Sequence, residues 1–272
     1  MKFIGSCVII QFFFNIQVVS SNSCFNDLIC IPSGYNKLTR PPPKNETTDV
    51  RVHFKRIQIS NIDENDSTIT LKLTIEMFWL EPQIFISTNT TKEDKHNLKS
   101  TIFLPKKFVN RLWLPDAYIP DLKKINKYNF IDDFEVYYYT LQKSGGNLLG
   151  CKIEVETVLF CEMNFEAYPM DENTCYFTIG TYAPLKQSAQ EFRLSGVRFN
   201  ASGQVTQLDY TIDVNEGLPK HKAKPSRYQR TGFEINFRRK VSRYITSYYF
   251  PSGILVVLSW VSTNSSSSIL LK

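Results

Sequence analysis

The chain is poor in the residue types and spacings on which most enzymes depend. Its 272 residues include only three histidines, His53, His96 and His221, and their scattered spacing fits no metal site. Neither a nucleophile elbow, nor a Walker phosphate loop, nor a dinucleotide-binding glycine pattern occurs in it. We therefore expect a protein that is not an enzyme and that holds no metal and no cofactor.

The N-terminus has the pattern of a secretory signal peptide. Lys2 precedes an apolar run from Phe3 to Phe14, and small residues follow at Ser20 and Ser21. The pattern predicts a signal peptide over residues 1–20, with an N-terminal strand or anchor helix as the alternative. Secretion permits N-glycosylation, and the acceptor triplets ahead of the C-terminal apolar segment begin at Asn45, Asn65, Asn89 and Asn200.

Cysteine is sparse and odd in number once the signal peptide is removed, because Cys7 leaves with it. Cys161 and Cys175 enclose 13 residues, and we expect them to form a disulfide that stabilises the fold by about 3 kcal/mol. Cys24 and Cys30 either close a small loop and leave Cys151 free, or one of them pairs with Cys151. The sequence leaves these alternatives open.

Acidic residues almost disappear near the C-terminal end. Positions 220–243 hold nine Lys or Arg residues against one acid, Glu234, in a chain of net charge +6. Nucleic acid is not expected as a partner of a secreted chain, so we interpret this stretch as a solvated loop followed by a membrane-proximal basic stop. Residues 245–261 then carry no charge, and the serine-rich run that follows does not suit hydrocarbon. The pattern predicts a partial transmembrane helix over 244–262 and a divergent tail over 263–272.

Hydrophobic periodicity predicts a mainly β protein over residues 21–243. Apolar residues alternate with mostly polar ones from Ile69 to Trp79, which is the period of a strand with one buried face. Shorter alternations occur at 50–54, 153–159, 208–212 and 233–237, with turn signals between them. We expect an immunoglobulin-like antiparallel β-sandwich of about ten strands, with one short N-terminal helix near 24–31.

Four motifs in this order resemble those of the pentameric Cys-loop ligand-gated ion channels. They are Tyr35 through Arg40-Pro41, Trp113-Leu-Pro-Asp116, the Cys161–Cys175 loop with Tyr168-Pro169 and Asp171 inside it, and a last stretch made of Arg239, Tyr244 and Tyr249-Phe-Pro-Ser252 followed by Leu258-Ser-Trp-Val-Ser262. The last stretch is more similar to the anion-selective branch, gated by glycine, GABA or glutamate, than to the acetylcholine branch. The chain departs from known branches of the family in two respects. It lacks the adjacent cysteine pair near Tyr228 of acetylcholine receptor α-type subunits, and it has no cysteine after Cys175 for the second disulfide of glycine receptors.

The resemblance implies a transmitter site made of aromatic side chains between subunits. Mapped by motif, Tyr118, Tyr182 and Tyr228 fall on its three loops, although ordinary packing is the alternative for each in a chain with 14 tyrosines. Aromatic faces attract ammonium groups by about 0.5–2 kcal/mol each, so the trio suits an amine-bearing transmitter.

The facing strand carries Thr74 and Glu76 where the resemblance places an aromatic residue and often an arginine. Glutamate would repel a ligand carboxylate that arginine would clamp. We therefore expect poor binding of glycine or glutamate by a homopentamer. The alternative is that Glu76 only solvates a strand edge.

The resemblance also implies a coupling role for the disulfide loop. Its tip, Tyr168-Pro169, would rest on a membrane domain, and Asp171 belongs to the same loop. Arg239 would join an ion-pair network at the junction between the last strand and the membrane helix. An aromatic residue before proline further permits a cis peptide bond at Tyr168-Pro169.

These expectations together describe a subunit, or a truncated subunit, of a neurotransmitter-gated and anion-selective channel. Its partners would be a small-molecule transmitter, the other subunits of a homo- or hetero-pentamer, and the membrane. It would face outward at the plasma membrane, of the postsynaptic type. The alternatives are a secreted ligand-binding protein of the same fold, a non-functional fragment of a channel, and an adhesion-type β-sandwich.

Overall fold

The computed structural model describes residues 23–26, 28–41, 47–86, 102–127, 135–140, 147–181, 190–199, 209–219 and 230–269. The predicted signal peptide lies outside this part of the chain. The described strands are β1 (Ser23–Phe25), β2 (Ile29–Ile31), β3 (Thr48–Asp63), β4 (Thr68–Leu80), β5 (Phe85–Ile86), β6 (Ile102–Leu104), β7 (Ala117–Tyr118), β8 (Leu122–Lys127), β9 (Glu135–Thr140), β10 (Asn147–Phe160), β11 (Glu172–Thr181), β12 (Gln190–Phe199), β13 (Tyr210–Glu216) and β14 (Arg230–Arg239).

The strands form two main sheets and a small one. The larger sheet has the order β12-β3-β4-β10-β9-β6, with β8 also paired to β10. The second sheet has the order β13-β14-β11-β7, and the small one the order β1-β2-β5. A single helical turn, α1 (Lys106–Val109), precedes the Trp113 motif.

β4 lies in the middle of the larger sheet, between β3 and β10. The alternating apolar residues from Ile69 to Trp79 all face inward and are buried, as their period of two predicts. Thr74 is the exception among the polar positions, because it too is buried. The predicted strand is therefore confirmed over its whole length.

Aromatic rings from both main sheets meet in the core. Phe54 of β3 packs edge-on against Phe177 of β11 and Phe233 of β14, with ring centroids 5.3 and 5.1 Å away. Phe177 and Phe233 stack on each other at 5.2 Å. All three side chains are fully buried, so each contributes about 1.5–3 kcal/mol of hydrophobic stabilisation. Two sheets packed face to face confirm the predicted sandwich.

One strand pair departs from the antiparallel prediction. β12 runs parallel to β3, with Gln190 opposite Thr48 and Phe192 opposite Val50. β12 thereby covers an edge of the larger sheet with a strand from late in the chain.

The expected N-terminal helix near 24–31 is wrong. β1 and β2 form an antiparallel hairpin there, with Cys24 directly opposite Cys30, and a disulfide joins the pair. Each of these strands has only three residues, which is too short for a periodic pattern, and the disulfide holds the two strands together. The predicted Cys161–Cys175 disulfide is present. Of the alternatives that the sequence leaves open for the remaining cysteines, the structure has the one in which Cys24 pairs with Cys30 and Cys151 is a free, buried thiol.

The apolar segment forms a helix that begins directly after β14. It consists of α2 (Val241–Tyr244), a π-helical turn (Ile245–Tyr249) and α3 (Phe250–Ile269). The wider turn precedes Pro251, whose ring would otherwise clash with the carbonyl four residues earlier. Residues Val241–Asn264 are long and apolar enough to cross a membrane, and none of this stretch is buried in the protein. The helix thus continues past Ser262 into the serine-rich tail.

Candidate functional site

The loop closed by Cys161 and Cys175 is tightly folded. The Tyr168-Pro169 peptide bond is cis, and the amides of Tyr168 and Met170 donate hydrogen bonds to the carbonyl oxygens of Phe165 and Ala167 at 3.0 and 2.7 Å. Pro169 is buried, whereas Tyr168 and Met170 are exposed. The loop therefore presents an apolar tip on a constrained backbone.

Asp171, at the end of that tip, binds Arg239 at the end of β14. Arg239 Nε donates to Asp171 Oδ1 at 2.7 Å, and Nη2 donates to Oδ2 at 3.0 Å. Both side chains are almost completely buried, at 2% and 1% exposure. A bidentate, charge-assisted pair of this kind fixes both position and direction.

A second carboxylate reaches Arg239 from the turn between β3 and β4. Arg239 Nη1 donates to Glu64 Oε1 at 2.7 Å, and the hydroxyl of Tyr210 on β13 donates to the same oxygen. Nη1 also donates to the hydroxyl of Tyr244 in α2 at 3.1 Å. One guanidinium thus connects the disulfide loop, the β3–β4 turn, β13 and the first turn of the apolar helix.

Three tyrosine rings surround the same guanidinium. Its central carbon lies 4.8 Å from the ring centroid of Tyr168, 4.9 Å from that of Tyr210 and 5.7 Å from that of Tyr244. Tyr168 and Tyr244 also pack edge to face, with centroids 5.4 Å apart. Cation–π contacts add about 0.5–2 kcal/mol each, so the aromatic cage reinforces the ion pairs. We call Arg239, Asp171, Glu64, Tyr168, Tyr210 and Tyr244 the junction cluster.

The charged groups of the junction cluster hold one another ionised. Burial by itself would raise the pKa of Asp171, but the hydrogen bonds and charge of Arg239, together with hydrogen bonds from the backbone N–H of Asp171 and from Asn173, outweigh burial and lower that pKa below its ordinary value. The hydrogen bond from Arg239 likewise lowers the pKa of Glu64. Burial would lower the pKa of Arg239, yet its bonds to Asp171, Glu64 and Tyr244 outweigh burial and raise it.

Of the three tyrosines expected at the transmitter site, the structure describes Tyr118. Tyr182 and Tyr228 lie outside the described residues. Tyr118 ends β7, pairs with Gly180 of β11 and leaves 45% of its side chain exposed. The register places Tyr118 beside the strand that leads to Tyr182 in the sequence. The three-tyrosine box therefore stays a prediction.

The expected complementary residues, Thr74 and Glu76, line a cavity of about 340 Å³ on the outer face of the larger sheet. Phe78 of β4 and Tyr137 of β9 flank it, on either side of Gly150 of β10 in the strand register. Because glycine has no side chain, a gap remains between the two rings. A cavity of this size suits a small ligand.

Glu76 is ion-paired in this cavity. Lys55 Nζ lies 2.7 Å from Glu76 Oε2, and Lys152 stands opposite Glu76 in the β4–β10 register. β4 is an interior strand of the sheet, so Glu76 does not solvate a sheet edge. Arg56 has a positive φ of 51° at a register shift in β3, and both Lys55 and Arg56 line the cavity as a result.

A second buried carboxylate lies away from both sites. Glu81 is fully buried, and Tyr35 donates its hydroxyl hydrogen to Glu81 Oε2 at 3.1 Å while accepting the amide of Trp113 at 2.9 Å. Burial raises the pKa of Glu81 to about 7. This contact joins the Tyr35 motif to the Trp113 motif.

Sequence reasoning missed Glu64, Tyr210 and Lys55. The turn signal near Asn65 marks the position of Glu64, but nothing in the local sequence shows that it reaches a residue 175 positions later. Among the described residues, no group of three or more His, Cys, Asp or Glu side chains is placed to hold a metal ion.

Comparison with known proteins gives a consistent set of relatives. The sequence model of the neurotransmitter-gated ion-channel ligand binding domain matches residues 24–241. The chain is 26% identical over 258 residues to the gamma-aminobutyric acid receptor subunit pi of Bos taurus, which covers 92% of this chain and 54% of the relative. It is 25% identical over 240 residues to the glutamate-gated chloride channel subunit beta of Haemonchus contortus, covering 85% and 53%. It thus spans about half the length of the curated relatives it matches.

Proposed function

The chain belongs to the neurotransmitter-gated ion-channel ligand binding domain family, and we propose from this that it is the transmitter-binding part of an anion-selective channel subunit. In this proposal it assembles with other subunits into a pentamer, faces outward at the plasma membrane and binds a small amine-bearing transmitter. The family is one of channels and not of enzymes, in agreement with the missing catalytic patterns.

The observation that carries the proposal is the junction cluster. A single buried guanidinium binds Asp171 of the disulfide loop and Glu64 of the β3–β4 turn, and it contacts Tyr244 at the start of the apolar helix. A purely structural ion pair does not need to join the first turn of a helix that leaves the domain. The cluster is therefore suited to transmit a displacement of the sandwich to a membrane segment.

The proposed coupling is mechanical and follows the bonds of the cluster. Movement of β14 on ligand binding would carry Arg239, and the two-pronged contact would make Asp171 and the Tyr168 tip follow. Tyr168 packs on Tyr244, so the same displacement would reach the helix. The bidentate geometry matters because it transmits rotation as well as translation.

The proposed ligand class rests on Tyr118 and on the cavity at Glu76. In a ring of subunits, Tyr118 of one copy would supply an aromatic face and the cavity of the next would supply the facing wall. Glu76 favours an ammonium group. Lys55 already neutralises part of that charge, so the expected rejection of ligand carboxylates is weaker than the sequence alone suggests.

Ligand titration of the full chain in lipid nanodiscs tests the binding half of the proposal. Phenylethylamine, γ-aminobutyric acid and glutamate serve as probes, and we expect the amine without a carboxylate to bind most tightly. Tyr118→Ala should weaken it by about twofold to thirtyfold, the range of one cation–π contact, while Tyr118→Phe keeps most of the affinity. Equal affinities of the parent chain, Tyr118→Ala and Tyr118→Phe for the amine would contradict the assigned site.

A fluorophore on Met170→Cys tests the coupling half. Met170 is exposed at the loop tip and takes no part in the junction cluster. Saturating ligand should change its emission in the parent background, and Tyr168→Ala should abolish that change while sparing affinity. Loss of affinity and of the signal together would argue against a coupling role.

A further inference from the structure

A cavity of about 860 Å³ lies along β11, away from the cavity at Glu76. One wall is β11 itself, and the other is the first part of the disulfide loop, residues 160–166. The lining extends from Glu172 at the start of β11 to Thr178 near its end, a length of about 20 Å at the rise of an extended strand. The cavity is therefore a long groove, which we call the acidic groove.

Unpaired carboxylates line the acidic groove. Asp121, which follows β7, and Glu162 and Glu166 of the disulfide loop are all exposed there. Their side chains have no ion-pair partner among the described residues, whereas Glu172 is paired with Arg238 at the surface. Three carboxylates are therefore available to a cation that enters the groove.

The basic residues near the groove do not cancel this charge. Arg230 lines the groove at the start of β14. Lys123 stands 5.5 Å from the ring centroid of Phe160, but its Nζ lies 2.6 Å from Asp66 Oδ2. Three unpaired carboxylates against one guanidinium leave the groove negative in a chain whose net charge is +6. Such a local excess of negative charge attracts cations to this part of the surface.

The hydroxyl of Thr178 lacks the partner that a buried hydroxyl normally has. Thr178 is 6% exposed, and its Oγ1 bonds to none of the described residues. Phe177 and Ile179 on either side of it are packed in the core, so the alternation of the strand turns Thr178 towards the groove that it lines. Gly232, directly opposite in β14, has no side chain that could bond the hydroxyl. A ligand with a hydrogen-bond donor would remove the cost of this unpaired group.

The arrangement of the acids favours an extended cation over a metal ion. Among the described residues, no three His, Cys, Asp or Glu side chains are placed to hold a metal. A ligand that contacts several of these carboxylates must therefore carry its positive charges along a chain. Met163 and Phe165 line the same wall as Glu162 and Glu166, and they offer apolar surface to methylene groups.

We propose that the acidic groove binds a linear aliphatic polyamine, a chain of methylene groups that carries two or more ammonium groups. The ammonium groups face Asp121, Glu162 and Glu166, and one of them donates a hydrogen bond to the Thr178 hydroxyl. This site is separate from the proposed transmitter site, because Tyr118 is not among the described residues that line the groove. The inference therefore does not rest on the identity of the transmitter.

Calorimetric titration of the full chain in nanodiscs of zwitterionic phosphatidylcholine tests the ligand class, with empty nanodiscs as the blank. We expect saturable binding of spermidine that weakens as salt is added. Butylamine, which has one ammonium group, should bind at least about tenfold more weakly, because linked charges bind together. Mg²⁺ at matched ionic strength should not displace spermidine. Equal affinity for butylamine, or displacement by Mg²⁺, would overturn the proposal.

Thr178→Val separates a binding role of the hydroxyl from a packing role. Valine has nearly the same shape, so without ligand the variant should melt at the parent temperature or above it, because an unpaired buried hydroxyl is gone. Its affinity for spermidine should fall by about tenfold or more, since a hydrogen bond to a charged group is lost. Thr178→Ser keeps the hydroxyl and should keep the affinity. Unchanged affinity in Thr178→Val would overturn the proposal.

Acid-to-amide variants locate the site. Glu162→Gln and Glu166→Gln should each weaken spermidine binding by up to about fivefold, the range of one exposed ion pair. Asp213→Asn is the matched control, because Asp213 is exposed on β13 of the same sheet and does not line the groove. Tyr118→Ala should also leave spermidine affinity unchanged. Similar losses in the control would show only unspecific attraction, and a loss in Tyr118→Ala would place spermidine at the transmitter site; either result overturns the proposal.

Discussion

Arg239 and Asp171 form a bidentate ion pair in which both partners are withdrawn from solvent, with Nε–Oδ1 and Nη2–Oδ2 distances of 2.7 and 3.0 Å. Removing one member of a buried pair leaves the other charged and poorly solvated, which is more damaging than losing the pair itself. The ion pair that positions the disulfide loop therefore also contributes to the stability of the whole fold.

Asp171→Ala should lower the free energy of unfolding by about 3–5 kcal/mol, because it leaves the buried guanidinium short of a partner. Glu172→Ala is the matched control: Glu172 pairs with Arg238 at the surface, with both side chains more than half exposed, so its loss should stay within about 1 kcal/mol. Denaturant titration in detergent measures both. Similar losses for the two variants would contradict the burial argument.

The junction cluster should also weaken in acid. The pKa of Asp171 is below its ordinary value of 3.8, so its contribution is present above that value and is lost as pH falls through the lower, folded-state pKa. Stability of the wild-type chain should therefore fall more steeply below pH 3.8 than that of Asp171→Asn. Parallel acid-unfolding curves would show that Asp171 is not held ionised by Arg239.

Ionisation of Glu81 should lower the stability of the fold, whereas ionisation of Asp171 raises it. Its pKa is raised from 4.5 to about 7, so its neutral form suits the fold, and stability is lost as pH rises from 4.5 through 7. Glu81→Gln keeps an acceptor for Tyr35 and removes this dependence. The free energy of unfolding of Glu81→Gln, relative to that of the wild-type chain, should rise by about 3 kcal/mol between pH 4.5 and 8. The exposed Glu166→Gln serves as control, and a pH-independent difference for Glu81→Gln would refute the assignment.

Gly232 should not tolerate a side chain. A Cβ at this position would lie 1.9 Å from the carbonyl oxygen of Phe177 on the paired strand β11. Gly232→Ala must push β14 away from β11, and we expect a loss of about 3 kcal/mol or more. Gly34→Ala has open space around it and should be nearly neutral. Thermal unfolding compares the two, and a neutral Gly232→Ala would show that the strands adjust without strain.

Sequence reasoning succeeded where a local pattern was strong enough to determine structure. The period of two from Ile69 to Trp79 predicted β4, and the cysteine spacing predicted the Cys161–Cys175 bridge. It failed near Cys24 and Cys30, where each strand has three residues and a covalent bond supports the hairpin in place of a periodic face.

The candidate site was accessible from sequence only in part. Motif resemblance predicted Arg239 and Asp171 but not Glu64. Glu64 lies in a turn of the larger sheet and contacts the end of a strand in the second sheet, so its role depends on how the two sheets pack. The partner of Glu76 was missed for a related reason. Strand register, which brings Lys55 onto the same face, cannot be read from either strand alone.

The parallel pairing of β12 with β3 sets an order of events during synthesis. About 140 residues separate Thr48 from its partner Gln190, so one side of β3 has no strand to pair with until that much more chain has been made. At ribosomal speeds of roughly 5–20 residues per second, the open edge persists for about ten seconds or longer. An unpaired edge backed by Val50, Val52 and Phe54 is a template for wrong partners. The nascent chain should therefore need chaperone protection before its last strands emerge.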